Sequence, residues 1–433
     1  MEGSPGFYLP QEMTDAILDQ AQDDKKTLRA CTLVAKSWSH QSCRYLYRHI
    51  RIQMTTTPGI LSTFIETLHT SVKLHASLQR LTITGSYTPL SIDCIDAPSD
   101  NRLWLRAEVL YQILSCLPAL RHLSIRSAYI ESGGMPSHSF PCRFTLSRLE
   151  VHHVDSTSRL STMCPVPLLN ILALFSELDV LIVTGIDPLW KVSTDPAGTT
   201  REYFPARTMI RYLDLSALLT TSLPIKWSKV VEPSALRTLS GHLASGDGNQ
   251  DLCALMKGCR ALERVTLSVG TFLGEMSMFK IFADNIQTTN EETDGFDYRD
   301  LRLGSFPNLH SVAFNQVSVG HPRVRPSFTV LLGLISTLHP ETVSSITIGM
   351  IYCGISIAML EVDWKGLQNS LERLRGLEDV ILPVPWMRSG CVSQTQEVVA
   401  AQWDRLVRTS LPALNAKGIL RTGGISSAPR GKV

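Results

Sequence analysis

The chain has 433 residues, more than one hydrophobic core usually organises, so we expect two domains or an array of repeats. Hydrophobic residues make up 44% of the sequence and charged residues 18%, which excludes a chain that is disordered throughout. The formal net charge is only +2. Because the sequence offers no electrostatic footprint for a nucleic acid or an anionic membrane, neither is expected as a partner.

The cysteines and the N-terminus bear on the cellular compartment. Ten cysteines are scattered singly with no CxxC pair, which is typical of reduced core residues. The first ten residues lack the basic region and the long apolar segment of a signal peptide. No apolar run approaches the roughly 20 residues that cross a bilayer. We therefore expect a soluble protein of the cytoplasm or the nucleus.

A first helix is predicted to begin at Leu9 and Pro10, because proline fits the first turn of a helix. Leu9, Met13 and Ile17 are four residues apart, so they line up along one side of this helix. The stripe that they form is apolar, and something must cover it.

A second helix is predicted after a short polar loop, with Thr27 as its cap. Leu28, Cys31, Val34 and Trp38 recur in it at intervals of three and four residues and form its apolar side. A third helical segment follows, and the sequence then changes to the alternation of a strand. Three helices of this size bury little surface, so we expect a partner or the next domain to cover part of them.

The order of these residues resembles the F-box motif. Leucine and proline come first at Leu9 and Pro10, acidic residues and isoleucine follow, and leucine, cysteine, valine and tryptophan come after the polar loop. The style is similar to that of the large F-box families of mushroom-forming fungi. The resemblance implies a trihelical domain, residues 1–52, that docks on a Skp-type adaptor and through it on the cullin and RING subunits of an SCF ubiquitin ligase.

Residues that match the motif are expected to contact the adaptor or to form the core of the helical domain, and the sequence does not separate these two roles. The alternative is that they form only the internal core of a small helical cap on the following domain. The matching residues are Leu9, Pro10, Ile17, Leu28, Cys31, Val34 and Trp38.

A degenerate LxxLxL pattern recurs beyond Ile52, and its three hydrophobic residues mark a short strand. Segments with helical spacing lie between several of the copies. The copies are Leu78-Leu81-Ile83, Leu120-Leu123-Ile125, Leu146-Leu149-Val151, Leu178-Leu181-Val183, Ile210-Leu213-Leu215, Leu262-Val265-Leu267, Leu309-Val312-Phe314, Val343-Ile346-Ile348 and Leu377-Val380-Leu382.

Alternating strands and helices predict an α/β fold, and specifically an irregular leucine-rich-repeat solenoid, a horseshoe, over residues 53–416. Most copies are about 26 to 47 residues apart, and they mostly lack the usual asparagine. An irregular α/β domain with a mostly parallel sheet is therefore the alternative.

The ends and breaks of the array are also predicted. Residues 397–414 have helical spacing and are expected to cap the last repeat, and residues 417–433 are expected to form a flexible tail. Long breaks rich in Gly, Pro, Ser or Asp are expected to be surface insertions. These breaks are residues 87–101, 129–143, 187–205, 241–251 and 285–307.

The common catalytic and nucleotide-binding motifs do not occur in this sequence. Asp247, Asn249 and Asp251 have the first spacings of a calcium loop, but Leu252 and Gly258 occupy the positions of its turn glycine and its bidentate glutamate. We therefore expect no catalytic residue, no cofactor and no bound metal.

Two further clusters have a reactive and a structural interpretation. His152 and His153, with Asp155 nearby, suggest a metal or acid-base site, but neighbours on a strand point to opposite faces, so a turn-exposed pair is favoured. Cys253 and Cys259 are favoured as a helix-packed pair over a reactive thiol, because no histidine base is identified.

The sequence thus predicts a substrate receptor rather than an enzyme. The helices are expected to bind the Skp-type adaptor, and the repeats are expected to bind a target protein that the sequence does not name. The alternatives are a leucine-rich-repeat scaffold that acts outside a ubiquitin ligase and a hydrolase with unrecognised residues. Co-purified cullin distinguishes the first alternative, and a deep polar pocket with convergent titratable groups is required for the second.

Overall fold

The computed structural model shows an α/β protein in which helices are interspersed among parallel strands, and this confirms the predicted fold class. Two compact units are present, Met1–Leu181 with Val192–Thr208, and Ile182–Lys191 with Met209–Val433. The structure describes residues 9–54, 59–85, 104–131, 143–152, 167–184, 207–216, 227–243, 247–269, 298–319, 326–352, 362–387 and 396–425.

The N-terminal segment folds into three short helices, and the first begins directly after Pro10, as predicted. The expectation that Trp38 continues the second helix is wrong. Ala35 has extended backbone angles (φ −156°, ψ 156°) and ends that helix, so Trp38 lies in the third. The helices are α1 (Gln11–Gln20), α2 (Lys25–Val34) and α3 (Lys36–Leu46).

The cap of α2 also differs from the prediction. The carboxylate of Asp24, not Thr27, accepts hydrogen bonds from the backbone N–H groups of Lys26 (2.9 Å) and Thr27 (3.2 Å). The hydroxyl of Thr27 donates a third hydrogen bond to Asp24 at 2.6 Å. These bonds, the one from the Thr27 hydroxyl foremost, lower the pKa of Asp24. An N-terminal aspartate satisfies helix N–H groups more directly than a threonine one turn further on.

Strands of the first unit follow the helices. They and the helices between them are β1 (His49–Gln53), α4 (Ile60–Thr70), α5 (Val72–Ser77), β2 (Arg80–Thr84), β3 (Trp104–Arg106), α6 (Ala107–Ser115), β4 (His122–Arg126), β5 (Tyr129–Glu131), β6 (Phe144–His152), α7 (Pro167–Leu172) and β7 (Phe175–Thr184). The strand order is β1-β2-β4-β6-β7, and β3 pairs with β5 in a separate small sheet. β1 contains the predicted domain boundary after Ile52.

The second unit continues the same alternation. Its elements are β8 (Met209–Asp214), α8 (Trp227–Val230), β9 (Thr238–His242), α9 (Asp247–Lys257), β10 (Arg264–Ser268), β11 (Ser311–Val319), α10 (Pro326–Thr337), β12 (Ser345–Tyr352), α11 (Trp364–Glu372), β13 (Asp379–Val384), β14 (Trp386–Met387), α12 (Gln396–Ser410), α13 (Pro412–Ala416) and β15 (Leu420–Ile425). The strand order is β8-β9-β10-β11-β12-β13-β15, and β14 pairs with β12. None of the described helices has the length and apolar composition to span a bilayer.

The repeated hydrophobic triplets form the core, and their middle residues stand in register on neighbouring strands. Leu81 pairs with Leu123, and Leu123 pairs with Leu149. All three side chains are buried. β9 carries a further copy that the sequence pattern missed. Leu239 holds its middle position, but Gly241 stands where the third hydrophobic residue belongs.

The C-terminal end differs from the prediction in one element. Residues 397–414 form helices as expected, and Trp403 of α12 is fully buried with its indole N–H donating to the carbonyl of Leu382 at 3.0 Å. The prediction of a flexible tail is wrong for β15, which pairs in parallel with β13. The Val380 N–H donates to the Ile419 carbonyl at 2.8 Å. One more strand therefore extends the sheet past the helical cap.

Several predicted insertions contain regular structure where they are described. The break at 129–143 begins with β5, and the break at 241–251 contains the end of β9 and the start of α9. The break at 285–307 ends in two short 3-10 helices. Residues 132–142, 244–246 and 285–297 of these breaks, and all of 87–101 and 187–205, lie outside the described residues.

Candidate functional site

The three N-terminal helices enclose a small core. Leu18 of α1 packs with Leu28 and Cys31 of α2, and all three are buried. Trp38 and Tyr45 of α3 are partly buried against this cluster. Residues from all three helices therefore form one packed centre, which fixes which side of each helix points outward.

A polar contact holds α3 against α1. The Tyr45 hydroxyl donates a hydrogen bond to the carboxylate of Asp19, and the Gln41 amide donates to the same hydroxyl at 3.2 Å. The bond to Asp19, with burial adding to it, raises the pKa of Tyr45. The contact joins residues 26 positions apart and so restrains the angle between the two helices.

Exposed apolar side chains are concentrated on these helices. Among the described residues, seven large hydrophobic side chains are exposed, and five of them lie between residues 13 and 47. Met13 and Ile17 expose 55% and 44% of their surface, and they are one helical turn apart on the same side of α1. Leu33 and Val34, at the end of α2, expose 87% and 66%. Concentrated apolar exposure of this kind is typical of an interaction site.

The structure separates the predicted adaptor-binding residues by burial. The inward side of α1 is formed by Thr14 and Leu18, so the predicted stripe at Met13 and Ile17 is left uncovered by the rest of the described chain. Leu33 was not among the predicted residues, because its position does not belong to the motif. From buried to exposed, the predicted residues are Leu28 and Cys31, then Leu9 and Trp38, then Pro10, Ile17 and Val34.

Comparison with known proteins adds no independent assignment. No model of a known protein family matches the chain. No curated protein matches it either. The functional assignment therefore depends on the motif residues and on the exposure of their side chains.

A second cluster, around Glu150 on β6, was missed by the sequence analysis. Its carboxylate is buried and lies 2.6 Å from Nε of Arg148, 3.1 Å from a guanidinium nitrogen of Arg126 and 3.1 Å from Nε2 of His152. Nε2 of His122 lies 3.4 Å away, in poor geometry for a hydrogen bond. One buried negative charge thus holds four basic side chains from two adjacent strands.

The electrostatics of Glu150 follow from these partners. Burial by itself raises the pKa of the carboxyl group, but the interactions with His122, His152 and Arg148 outweigh burial and hold the pKa well below its usual range. The carboxylate is therefore ionised at neutral pH. The expectation that His152 is exposed in a turn is wrong, because it is the half-buried last residue of β6. The partner histidine, His153, lies outside the described residues.

The alternation of Arg148, Glu150 and His152 along a strand is the signal that could have revealed this cluster. Residues two apart on a strand share one face. The hydrophobic residues of β6 revealed this strand, and its polar residues follow the same alternation on the opposite face.

The cysteine pair is packed in the interior, as favoured from the sequence. Cys253 of α9 and Cys259 are both buried. Burial is the main cause that raises the pKa of Cys253 to about 11 and that of Cys259 to about 12. Both thiols are therefore protonated at neutral pH, which disfavours nucleophilic chemistry at either sulfur.

One residue of the incomplete calcium pattern, Asp251, has a structural role. The carboxylate of Asp251 accepts hydrogen bonds from the backbone N–H groups of Trp227 (2.6 Å) and Ser228 (3.3 Å) at the start of α8. It also accepts a bond from the Ser228 hydroxyl at 2.6 Å. Within the described ranges, no group of three or more His, Cys, Asp and Glu side chains is arranged to hold a metal ion.

Proposed function

We propose that this chain is the substrate-recognition subunit of an SCF-type ubiquitin ligase, with the N-terminal helices binding a Skp-type adaptor and the repeats binding a target protein. The observation that carries the proposal is the exposed apolar surface on α1 and α2. Ile17 and Val34 match positions of the F-box motif, and both are exposed in a segment whose own core is already filled by other residues.

The energetics of this surface favour a partner. Fully burying one side chain of this size contributes about 1.5–3 kcal/mol. Met13, Ile17, Leu33 and Val34 expose between 44% and 87% of their surface, so covering all four contributes on the order of several kcal/mol before the cost of association. If the helices served only as a cap on the repeats, exposing these four apolar side chains to water would cost free energy and contribute nothing to the fold.

The proposal includes a leucine-rich-repeat solenoid for the region after the helices. The in-register hydrophobic triplets support it, because each strand and its following segment present an apolar side that only the neighbouring repeat can bury. The proposed repeats differ in length because the segments between their strands differ in length.

The mechanism of such a receptor is proximity. Binding the adaptor on one surface and the target on another keeps a target lysine beside the ubiquitin-charged enzyme, which raises its effective concentration. This requires no catalytic side chain in the receptor. It does require that the helices, which bind the adaptor, are held in a fixed position on the strands that follow them. The side chain of Arg48, directly after the helices, donates to Gln79, next to β2, at 3.0 Å. We propose the cytoplasm or the nucleus as the compartment.

Co-purification tests the ligase assignment. The tagged chain is expressed in eukaryotic cells beside an Ile17→Asp, Val34→Asp variant, and the bound proteins are identified by mass spectrometry. We expect the parent to retain a Skp-type adaptor, a cullin and a RING subunit, and the variant to lose all three. Val398→Asp is the control, since Val398 is 45% exposed on α12.

The outcomes separate the candidate functions. Adaptor without cullin indicates a scaffold that acts outside a ligase. Neither adaptor nor cullin on a folded parent contradicts the proposal.

A further inference from the structure

The sheet of the first unit has an apolar face, which carries the leucine triplets, and an opposite polar face. Register places the polar side chains in rows across the strands. His49 pairs with Arg80, Arg80 with His122, and His122 with Arg148. Neighbouring strands are about 4.8 Å apart, so a row of four basic side chains about 14 Å long crosses β1, β2, β4 and β6.

The next two rows carry less positive charge. Arg51 and Glu150 offset each other in the second row, and Arg126 adds one positive charge in the third. The three rows begin on β1 at residues 49, 51 and 53 and continue through their paired positions on β2, β4 and β6. Together they contain four arginines, three histidines and a single carboxylate, that of Glu150. With the histidines neutral, these positions carry a charge of +3 (four positive, one negative), although the whole chain carries only +2. We call this surface the basic face.

The positive charge of the basic face is not balanced evenly. The described partners of Glu150 are side chains of β4 and β6. Arg51 and Arg80, at the β1 and β2 end, are exposed. The pKa of His49 is lowered, first by burial and then by the positive charges of Lys25, Arg80 and Arg51 and by His122. Like charges side by side on a sheet are destabilising, so an added anion relieves repulsion there.

The second unit shows that this charge is not a general property of the sheet. The row that corresponds to His49 and Arg80 runs there through Thr238, Arg264, Ser311 and Ser345. These side chains are mainly small and uncharged. Of these two described rows, only the one on the first unit brings several cations together.

We propose that the basic face binds an acidic peptide segment of the target protein, with carboxylates at alternate positions of an extended chain. The inference rests on the proposed function, for which it names the surface and the chemistry of the target. An extended peptide presents every second side chain to the same side, about 7 Å apart. Three alternate carboxylates therefore span about 14 Å, which is the length of the row from His49 to Arg148.

A protein segment fits better than a nucleic acid. Single-stranded nucleic acids bind where bases stack on aromatic side chains along a positive groove. The three rows contain no Phe, Tyr or Trp. Glu150 also limits the net charge, and it restrains Arg126 and Arg148, so these two arginines lose less conformational freedom when a carboxylate binds.

Fluorescence anisotropy tests this inference with the full chain and a labelled peptide. The peptide carries three glutamates at alternate positions in a glycine and serine background, and a second peptide has glutamines in their place. We expect only the acidic peptide to bind, and its affinity to fall as salt rises from about 50 to 200 mM. Arg51→Gln with Arg80→Gln weakens binding about tenfold. The charge-matched control, Arg260→Gln with Arg264→Gln on the second unit, changes it by less than about twofold.

Three results overturn the inference: no binding of the acidic peptide at about 1 mM, undiminished binding by the Arg51 and Arg80 variant, or tighter binding of a single-stranded oligonucleotide of equal charge. Circular dichroism checks that each variant is folded, and Arg51→Gln alone replaces the double variant if that one is not. The same preparations are assayed for adaptor binding. A chain that binds the adaptor but not the peptide contradicts the inference and leaves the proposed function standing.

Discussion

Ile17 and Leu18 are consecutive residues of α1 that face opposite environments. Leu18 is fully buried against Leu28 and Cys31, whereas Ile17 keeps 44% of its surface exposed. The helix therefore has an inner side that holds the three-helix core and an apolar outer side that the described part of the chain does not cover. The first side accounts for folding, and the second is the surface on which the proposed function depends.

Substitutions at these two positions are predicted to have separable effects. Leu18→Ala is expected to lower the free energy of unfolding by about 2–5 kcal/mol, because it leaves a cavity between the helices. Ile17→Asp is expected to lower it by less than about 1 kcal/mol, because nearly half of the Ile17 side chain is already in water. Urea denaturation followed by circular dichroism measures both values. A strongly destabilised Ile17→Asp variant would show that Ile17 belongs to the core.

Glu150→Gln is predicted to destabilise the first unit at neutral pH by about 1–3 kcal/mol, because it leaves the half-buried Arg148 and its neighbours without a counter-charge. The matched control is Glu263→Gln. Glu263 pairs with Arg237 at 3.0 Å on the surface, and losing that pair is expected to cost less than about 1 kcal/mol. Thermal denaturation at pH 7 compares the two variants. Equal losses would contradict a special role for Glu150.

The effect of Glu150→Gln is also predicted to depend on pH. The pKa of Glu150 is lower in the folded chain than the usual unfolded value of about 4.3, so the carboxylate stabilises the fold above that value. This stabilisation is lost as the pH falls toward the lowered pKa. The difference between parent and variant is therefore expected to persist above about pH 5 and to shrink below about pH 4. A difference that grew below pH 4 would contradict this assignment.

Trp403 is predicted to be the main anchor of the C-terminal helix. Trp403→Ala is expected to cost about 3–5 kcal/mol of stability, because a fully buried indole is lost. Trp403→Phe keeps most of the volume but removes the hydrogen bond to Leu382, and we expect it to cost about 1–2 kcal/mol. Chemical denaturation resolves the two losses. Both variants lose this hydrogen bond, so the difference between their losses measures the packing of the ring, and equal losses would contradict the role of Trp403 as an anchor.

Thiol labelling is predicted to distinguish the cysteines. Cys253 and Cys259 are buried with raised pKa values, so the folded chain is expected to protect them from iodoacetamide at pH 8. Cys43 and Cys116 are partly exposed and are expected to react before the buried Cys253 and Cys259. Mass spectrometry of a time course locates the modified residues. Early labelling of Cys253 would mean that α9 opens readily.

The elements that could be predicted from the sequence are those with a strong hydrophobic period. The triplet at Leu81 and Ile83 and its relatives predicted the parallel ladder, because one face of each strand is buried throughout. β9 was missed because Gly241 breaks the triplet. β15 was missed because its glycines, Gly423 and Gly424, and its single buried leucine do not show strand alternation.

The candidate site could be predicted only in part, for a different reason. A motif identifies which residues are apolar but not which way they point, so Leu28 and Val34 could not be distinguished until the end of α2 at Ala35 was known. The Glu150 cluster depends on register between β4 and β6, which are separated in the sequence. Alternation along β6 predicts the two partners on that strand, Arg148 and His152. The two partners on β4, His122 and Arg126, become evident only from the strand pairing.

Adaptor binding by purified protein tests the central claim most directly. The affinity of the full chain for a Skp-type adaptor is measured by calorimetry, for the parent, for Ile17→Asp with Val34→Asp, and for the exposed control Val398→Asp. We predict that the parent and the control bind with equal affinity and that the double variant, although folded, binds at least about a hundredfold more weakly. A folded parent that does not bind, or a double variant that binds as tightly as the parent, would contradict the account.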